Sequence, residues 1–222
     1  MKVKIYTKTG DQGFTSTYKG IRILKSDPQV AAYGSIDELN SILGVLINYL
    51  NNEKKIKNFI VQVQSDLFAI GAFLAGNKIS LKYLKTRVTL MEKLIDELES
   101  RLPLLKNFIL PGGKLSSAWA NFSRAVCRRA ERKVVRLKTA GFDMDGRILI
   151  YLNRLSDLLF IIGRYSNFRL RIPEIIWKKK DLWFKKLNQS CFPLVIKGNF
   201  WQNKIVINLV YFYEKISSEK KN

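Results

Sequence analysis

The stretch RAVCRRAER, residues 124–132, has the spacing of a two-sided helix. Residues three and four apart lie on one face of a helix, so Arg124, Arg128 and Arg132 form one row. A second row lies about 200° around the helix axis, and its members are all apolar: Phe122, Val126, Ala130 and Val134. The stretch therefore predicts a helix that buries one side and presents guanidinium groups on the other.

We call Arg124, Arg128, Arg129 and Arg132 the arginine comb; Glu131 lies beside its main row. Guanidinium groups offer paired donors in one plane and stay charged, so such a row suits phosphate oxygens. The alternative is a solvated basic face without a ligand, and the comb alone does not distinguish the two.

Apolar residues at three- and four-residue steps predict four more helices. Their apolar runs span residues 36–50, 56–74, 86–102 and 149–162. The comb helix is expected to be capped by Ser116 or Ser117 and to continue to about Lys138. Five long helices with short connections favour an all-α fold, an antiparallel five-helix bundle, preceded by a loop over residues 1–27.

The last fifty residues differ in character from the rest of the chain. They hold three of the four tryptophans, and residues 206–213 are rich in β-formers. We therefore predict a helical bundle domain over residues 1–172 and a C-terminal extension over 173–222, of uncertain structure and unknown role.

The composition excludes several classes of function. The chain of 222 residues has no histidine, so it has neither a histidine-based catalytic triad nor a histidine metal ligand. Its two cysteines, Cys127 and Cys191, are too few for a disulfide framework, which favours a reduced cytoplasmic setting. No stretch of about 18 or more uncharged apolar residues is present and the N-terminus does not resemble a signal peptide, so no membrane association is expected.

The formal net charge of +21 raises the alternative of a basic helical protein that binds nucleic acid. The charge is spread along the chain, however, and lysine, asparagine and isoleucine are abundant, which an A/T-rich coding sequence also produces. A phosphate-backbone binder needs its cations on one continuous face. A comb interrupted by Glu131 suits a compact nucleotide better, so no nucleic-acid partner is expected.

The segment TKTGDQGFTST, residues 7–17, combines turn-forming and hydroxyl-bearing residues. Gly10 and Gly13 allow the backbone to turn tightly and to approach a ligand. The residues able to contact phosphate are Thr7, Lys8, Thr9, Thr15, Ser16 and Thr17, with Lys25 further along. The spacing is not that of a P-loop, and an ordinary surface turn is the alternative.

Two further segments carry polar residues on predicted helices. In YGSIDELN, 33–40, Asp37 lies near a helix N-terminus, where it either supports the helix dipole or orients an arginine of the comb. In YLNRLSDLLFIIGRYSN, 151–167, Asn153 is a mid-helix amide that should have a specific partner. Arg154 and Asp157 have the spacing of a local ion pair.

Six segments occur in the order found in one family: TKTGDQGFTST (7–17), YGSIDELN (33–40), VQSDLFAIGAFLA (63–75), FILPGG (108–113), RAVCRRAER (124–132) and NRLSDLLF (153–160). Over residues 3–168 the chain resembles the PduO-type ATP:cob(I)alamin adenosyltransferases. That resemblance implies a five-helix bundle that forms a homotrimer, with ATP bound between neighbouring subunits. A reductase that supplies the reduced corrinoid is a further expected partner.

The resemblance also implies roles for individual residues. The ATP phosphates would be bound by Thr7, Lys8, Thr9 and Gly10, with Thr15, Ser16 and Lys25 from the same loop. The neighbouring chain would complete the site with Arg128, Arg129, Glu131, Arg132 and Asn153. Arg124 would pair with Asp37 across the subunit interface. Phe108 would press on the lower face of the corrin ring and displace its lower axial ligand.

The implied reaction transfers the 5′-deoxyadenosyl group of ATP to cob(I)alamin and releases triphosphate. Its catalytic set is Arg128, Asp37, Arg124 and Phe108, and Mg²⁺ accompanies ATP without a dedicated protein metal site. Two positions depart from the family pattern: Ala120-Asn121 replaces a common Leu-His pair, and Gly163 replaces a common alanine. A degenerate, non-catalytic member of the family is therefore a further alternative.

Overall fold

The computed structural model describes residues 5–50 and 53–178, which form five helices and one small hairpin. The helices are α1 (Pro28–Asn48), α2 (Lys54–Leu74), α3 (Leu84–Glu99), α4 (Leu115–Thr139) and α5 (Arg147–Arg169). The all-α class and the five predicted helices are confirmed. A compact unit ends at Trp177. The predicted boundary at residue 172 stays a prediction, and the β-prone segment at 206–213 lies outside the described residues.

The expectation of a plain loop over residues 1–27 was wrong, because a short antiparallel hairpin forms there. Strands β1 (Phe14–Ser16) and β2 (Arg22–Leu24) pair with Thr15 opposite Ile23. Gly20 turns the chain with φ of 77°, and its N–H donates to the Thr17 carbonyl at 2.9 Å. Each strand has three residues, too few for an alternating pattern to be recognised in sequence.

The helices pack in the sequence α2, α1, α4, α5, α3, each against the next. α4 contacts α1 on one side and α5 on the other, so its buried row lies between two helices. Val126, Ala130 and Val134 of the predicted apolar row are buried, but Phe122 is 48% exposed. Phe122 instead packs edge-on against Trp119, 5.8 Å between ring centroids, and Ser123 takes the buried position.

The predicted serine cap of α4 was also wrong. Lys114 is the N-cap residue and has no side-chain cap hydrogen bond. Ser116 and Ser117 lie inside the first turn and are buried. The chain enters the helix from a glycine turn at 112–113, and the two serines lie beyond the N-cap position, inside the helix.

Helix α1 is long and apolar enough, by length and composition, to cross a membrane. In this chain it is a core helix, since Ala32, Ile36, Leu39 and Leu43 are buried where α1 packs against α2 and α4. A helix buried between two neighbours has the same apolar composition as a membrane span.

A buried polar network joins α2, α3 and α5. Asp66 accepts hydrogen bonds from Arg87 Nε at 2.7 Å and from the Tyr151 hydroxyl at 3.0 Å. Burial raises the pKa of Asp66 above its ordinary value, although the hydrogen bond and charge of Arg87 act in the opposite direction. Burial also raises the pKa of Tyr151, so its hydroxyl stays a donor. The network is thus a paired charge inside the bundle.

We predict that Arg87→Met lowers the free energy of unfolding by about 3 kcal/mol near neutral pH, because the Asp66 carboxylate is left buried without its cation. The substitution raises the pKa of folded Asp66 further. A raised pKa in the folded state costs stability above the unfolded pKa, so the deficit should shrink as the pH falls and Asp66 protonates. Denaturant titrations of the wild type and the variant at several pH values measure this difference in the free energy of unfolding.

The matched control is Lys55→Met, which removes an exposed ion pair with Glu97 that also joins two helices. It should change the free energy of unfolding much less than Arg87→Met does, because solvent screens an exposed ion pair. Equal losses in the two variants, or a deficit in Arg87→Met that does not depend on pH, would contradict the assignment.

Candidate active site

The N-terminal loop presents its hydroxyl groups to solvent. Thr7, Lys8 and Thr9 are exposed, and the hydroxyls of Thr7 and Thr9 lie 2.9 Å apart. Lys8 has φ of 58° and Gly13 has φ of 83°, so the backbone turns twice within six residues. The loop therefore offers hydroxyls and an ammonium group on an open turn, as expected of a phosphate-binding segment.

Two cations of the hairpin pack against this turn. Arg22 donates from Nη2 to the Thr9 carbonyl at 2.7 Å and from Nη1 to the Ser16 hydroxyl at 3.5 Å. Lys25 lies over Gly10, where an added Cβ would be 3.2 Å from its Nζ. The sequence analysis identified Lys25 and missed Arg22. Arg22 could be found only from its position opposite Ser16 in the hairpin, which was not predicted.

The arginine comb lies on the exposed face of α4, as predicted for Arg128, Arg129 and Arg132. Arg129 forms an ion pair with Glu38 of α1 at 2.5 Å, so its guanidinium is directed toward α1. Glu131 accepts a hydrogen bond from Asn153 Nδ2 of α5 at 3.4 Å. Asn153 thus has the specific partner expected for it, and Arg154 and Asp157 form the predicted local ion pair at 2.8 Å.

Arg124 differs from the other arginines of the comb because it is half-buried. Its Nε is buried and has no hydrogen-bond partner among the described residues. Arg124 and Arg128 line a groove of about 320 Å³ between α3, α4 and α5. Its other lining residues include Glu99 of α3 and Ser156, Asp157 and Phe160 of α5. Asp37 is exposed on α1 beside a second groove, between α1 and α2. Its predicted place near a helix N-terminus was wrong, because α1 already begins at Pro28 and Asp37 lies in the middle of the helix. No ion pair joins Asp37 to Arg124 within the described part of the chain, and their pairing across subunits stays a prediction.

The FILPGG segment forms a loop with an exposed aromatic ring. The Phe108 side chain is 80% exposed, as a surface for contact with a flat apolar ligand requires. Asn167 of α5 fixes the other end of the loop: its Nδ2 donates to the Gly112 carbonyl at 3.0 Å, and its Oδ1 accepts from Lys114 N–H at 3.1 Å. Sequence reasoning missed Asn167, because its partners are backbone groups more than fifty residues away.

The two positions that depart from the family pattern are neighbours in space. A Cβ built on Gly163 would lie 3.0 Å from Asn121 Nδ2 and 3.6 Å from the Ala120 Cβ. Asn121 donates to the Ser117 carbonyl at 3.1 Å and so lies along α4 against α5. The absence of a side chain at 163 therefore makes room for the amide at 121.

Among residues 5–50 and 53–178, the one cysteine, Cys127, is not available as a nucleophile. Burial raises the pKa of the Cys127 thiol, which donates to the Leu152 carbonyl at 3.2 Å and is inert. Within these ranges no three histidine, cysteine or carboxylate side chains cluster. The expectation of no protein metal site stays a prediction for the rest of the chain.

A helical bundle with an open turn of hydroxyl and lysine groups and an exposed arginine face has the groups that a nucleotide-dependent transferase requires. The cobalamin adenosyltransferase family model matches residues 5–166, and the chain belongs to that family. Corrinoid adenosyltransferase MMAB of Homo sapiens is 41% identical over 188 residues, 80% of this chain and 74% of the relative. The corrinoid adenosyltransferase of Bacillus subtilis is 35% identical over 193 residues, 85% of this chain and 99% of the relative.

Solved structures agree with this membership. A variant of the PduO-type ATP:corrinoid adenosyltransferase from Lactobacillus reuteri, complexed with cobalamin and ATP, superposes with a TM-score of 0.74. The two are 35% identical, and the match covers 79% of this chain and 99% of that one.

We predict that Gly113→Ala disrupts the FILPGG loop. Gly113 has φ of 95°, and a Cβ there would lie 2.2 Å from Asn167 Oδ1, so the amide must leave its two backbone partners. The melting temperature should fall by several degrees, corresponding to about 2–3 kcal/mol, and transfer to the corrinoid should slow.

Gly141→Ala is the control, since Gly141 has a similar φ of 91° and no atom within 4 Å of an added Cβ. It carries only the backbone strain, about 1 kcal/mol. If the two alanine variants melted at the same temperature, the clamp by Asn167 would be refuted.

Proposed function

We propose that this chain transfers the 5′-deoxyadenosyl group of ATP to cob(I)alamin and releases triphosphate. The observation that carries the proposal is the adjacency of two surfaces. The groove at Arg128 and the cleft under the FILPGG loop share two lining residues, Arg124 and Phe160. This adjacency supports a phosphate site on α4 next to the loop that carries Phe108.

The chemistry needs no protein base, because the cobalt of the reduced corrinoid substrate is the nucleophile. Its electron pair forms a bond to the ribose 5′-carbon, and the bond between that carbon and the phosphate oxygen breaks. Negative charge then develops on the leaving triphosphate. Arg128 and Lys8 are positioned on exposed surfaces from which they can stabilise that charge.

The proposed nucleotide site divides between two segments. The loop residues Thr7, Lys8, Thr9 and Gly10 bind the phosphates with Thr15, Ser16 and Lys25, and the comb contributes Arg128, Arg129, Glu131 and Arg132 with Asn153. Mg²⁺ is usually held by substrate phosphates and few protein oxygens, so the absence of a three-ligand cluster in the described ranges is compatible with it.

A homotrimer is part of this proposal. No hydrogen bond or ion pair between described residues joins the loop at 7–25 to the comb, and Lys8 and Arg128 are both exposed. A closed three-fold ring with heterologous interfaces would bring the loop of one subunit to the comb of the next. The cytoplasm, where a reductase would supply the reduced corrinoid, is the proposed location.

We predict that Arg128→Ala lowers the rate of adenosyl transfer at least 100-fold while the bundle stays folded. The side chain is exposed and leaves no cavity, whereas its contact with the leaving phosphates acts in the transition state. The rate is followed as the loss of cob(I)alamin absorbance with ATP and Mg²⁺. Arg136→Ala, exposed further along α4, is the control and should retain the wild-type rate. An Arg128→Ala enzyme with the wild-type rate would remove Arg128 from the site.

Shared sites should be recoverable by mixing inactive chains. Lys8→Ala lacks a working loop and Arg128→Ala lacks a working comb, so subunit exchange should create some interfaces with both intact. We expect activity well above that of either variant, in a particle of three times 25.7 kDa. A monomer by light scattering, or no recovered activity after confirmed exchange, would contradict the shared site.

A further inference from the structure

The segment that follows α5 folds back onto the FILPGG loop. Ile176 forms an antiparallel bridge with Ile109. Leu110 N–H donates to the Ile175 carbonyl at 2.8 Å, and Trp177 N–H donates to the Phe108 carbonyl at 2.8 Å. The backbone on both sides of Ile109 is therefore held by residues 175–177, and we call these residues the return strand.

The return strand is anchored to the bundle by an ion pair. Arg164 of α5 donates from Nε to Glu174 Oε1 at 2.8 Å and from Nη2 to Glu174 Oε2 at 3.2 Å. Arg164 Nη2 also donates to the Pro103 carbonyl at 3.0 Å. One guanidinium thus joins the end of α5, the start of the loop that carries Phe108, and the residue before the return strand.

Burial makes it costly to separate the two side chains of this ion pair. The Arg164 side chain is 3% exposed and that of Glu174 is 22% exposed. A buried guanidinium needs a carboxylate partner and acceptors for its N–H groups. Moving Glu174 away from Arg164 therefore costs free energy. The two backbone hydrogen bonds of the bridge would be weak without such an anchor, because a two-strand pairing on the surface is marginally stable in water.

We propose that Arg164 and Glu174 are positioning residues for the corrinoid, which hold the Phe108 ring in place through the return strand. The role rests on the proposed function, because Phe108 matters only if the chain binds a corrinoid. Asn167 fixes the loop at Gly112 and Lys114, one turn further along α5. The ion pair fixes the opposite end, so Phe108 projects from a loop that is held on both sides.

The test is Glu174→Gln, which keeps the size and an acceptor oxygen and removes the charge. We expect the KM for cob(I)alamin to rise about tenfold, while the KM for ATP stays within about twofold. A role in general folding would move both constants or neither. Hydrogen exchange of the Leu110 and Trp177 amides should accelerate about tenfold in the same protein, because both donate across the bridge.

Two further variants complete the test. Arg164→Lys keeps the positive charge but loses the paired hydrogen bonds of the guanidinium to Glu174, so it should also raise the KM for cob(I)alamin. This variant replaces Glu174→Gln in the test if Glu174→Gln does not fold. Glu92→Gln is the matched control: Glu92 accepts from Arg154 of α5 at 3.0 Å, away from the loop. It should change neither constant nor the exchange of Leu110.

The outcomes separate this role from the proposed function. A folded Glu174→Gln enzyme with an unchanged KM for cob(I)alamin, or with unchanged exchange at Leu110, would overturn the positioning role while the wild type remains active. A wild type that forms no adenosylcobalamin would overturn the proposed function and the role together, even if the exchange at Leu110 responded as expected.

Discussion

The burial of α5 between α3 and α4 is the constraint on which the site depends. Every residue from Ile161 to Asn167 is buried, including Arg164 and Asn167. Polar groups taken out of water need hydrogen-bond partners. The partners of these two side chains are Glu174 and backbone groups at Pro103, Gly112 and Lys114, so satisfying the interior of the bundle also arranges the loop that carries Phe108.

The same principle operates in the middle of the bundle, with a different result. Tyr151 of α5 and Arg87 of α3 meet the Asp66 carboxylate of α2, and no surface loop is involved. That network holds α2, α3 and α5 in their relative positions. The one at the end of α5 contributes to where a substrate-facing ring lies. Both are buried charges with a fixed partner, and they differ only in whether the partner belongs to a helix or to a loop.

Helix α4 has one face buried in the core and another that presents arginines to solvent. Its buried row of Val126, Ala130 and Val134 stabilises the packing against α1 and α5, while Arg128 and Arg132 remain in solvent. Arg124 is intermediate, with a buried Nε and a guanidinium at the groove. A charged face of this kind lies outside the core and is available for a phosphate ligand from outside the chain.

The sequence by itself determined the five helices, because apolar spacing of three and four residues is a local property of each segment. It also determined that the arginines of α4 share one face, and the order of six motifs identified the family. These conclusions depend on residues close together in the chain. The comb and the hydroxyl loop are therefore visible in the sequence itself, and the family resemblance adds Phe108.

Only the tertiary structure decided which of these residues meet. The ion pair of Arg129 with Glu38, the clamp of Asn167 on the glycine turn, and the pairing of Arg164 with Glu174 join segments that no local pattern relates. Phe122 fits the periodicity of the core yet lies on the surface, because burial is set by the neighbouring helices and not by spacing alone. Helical periodicity comes from the backbone of one segment, whereas contacts between segments depend on how several buried faces fit together.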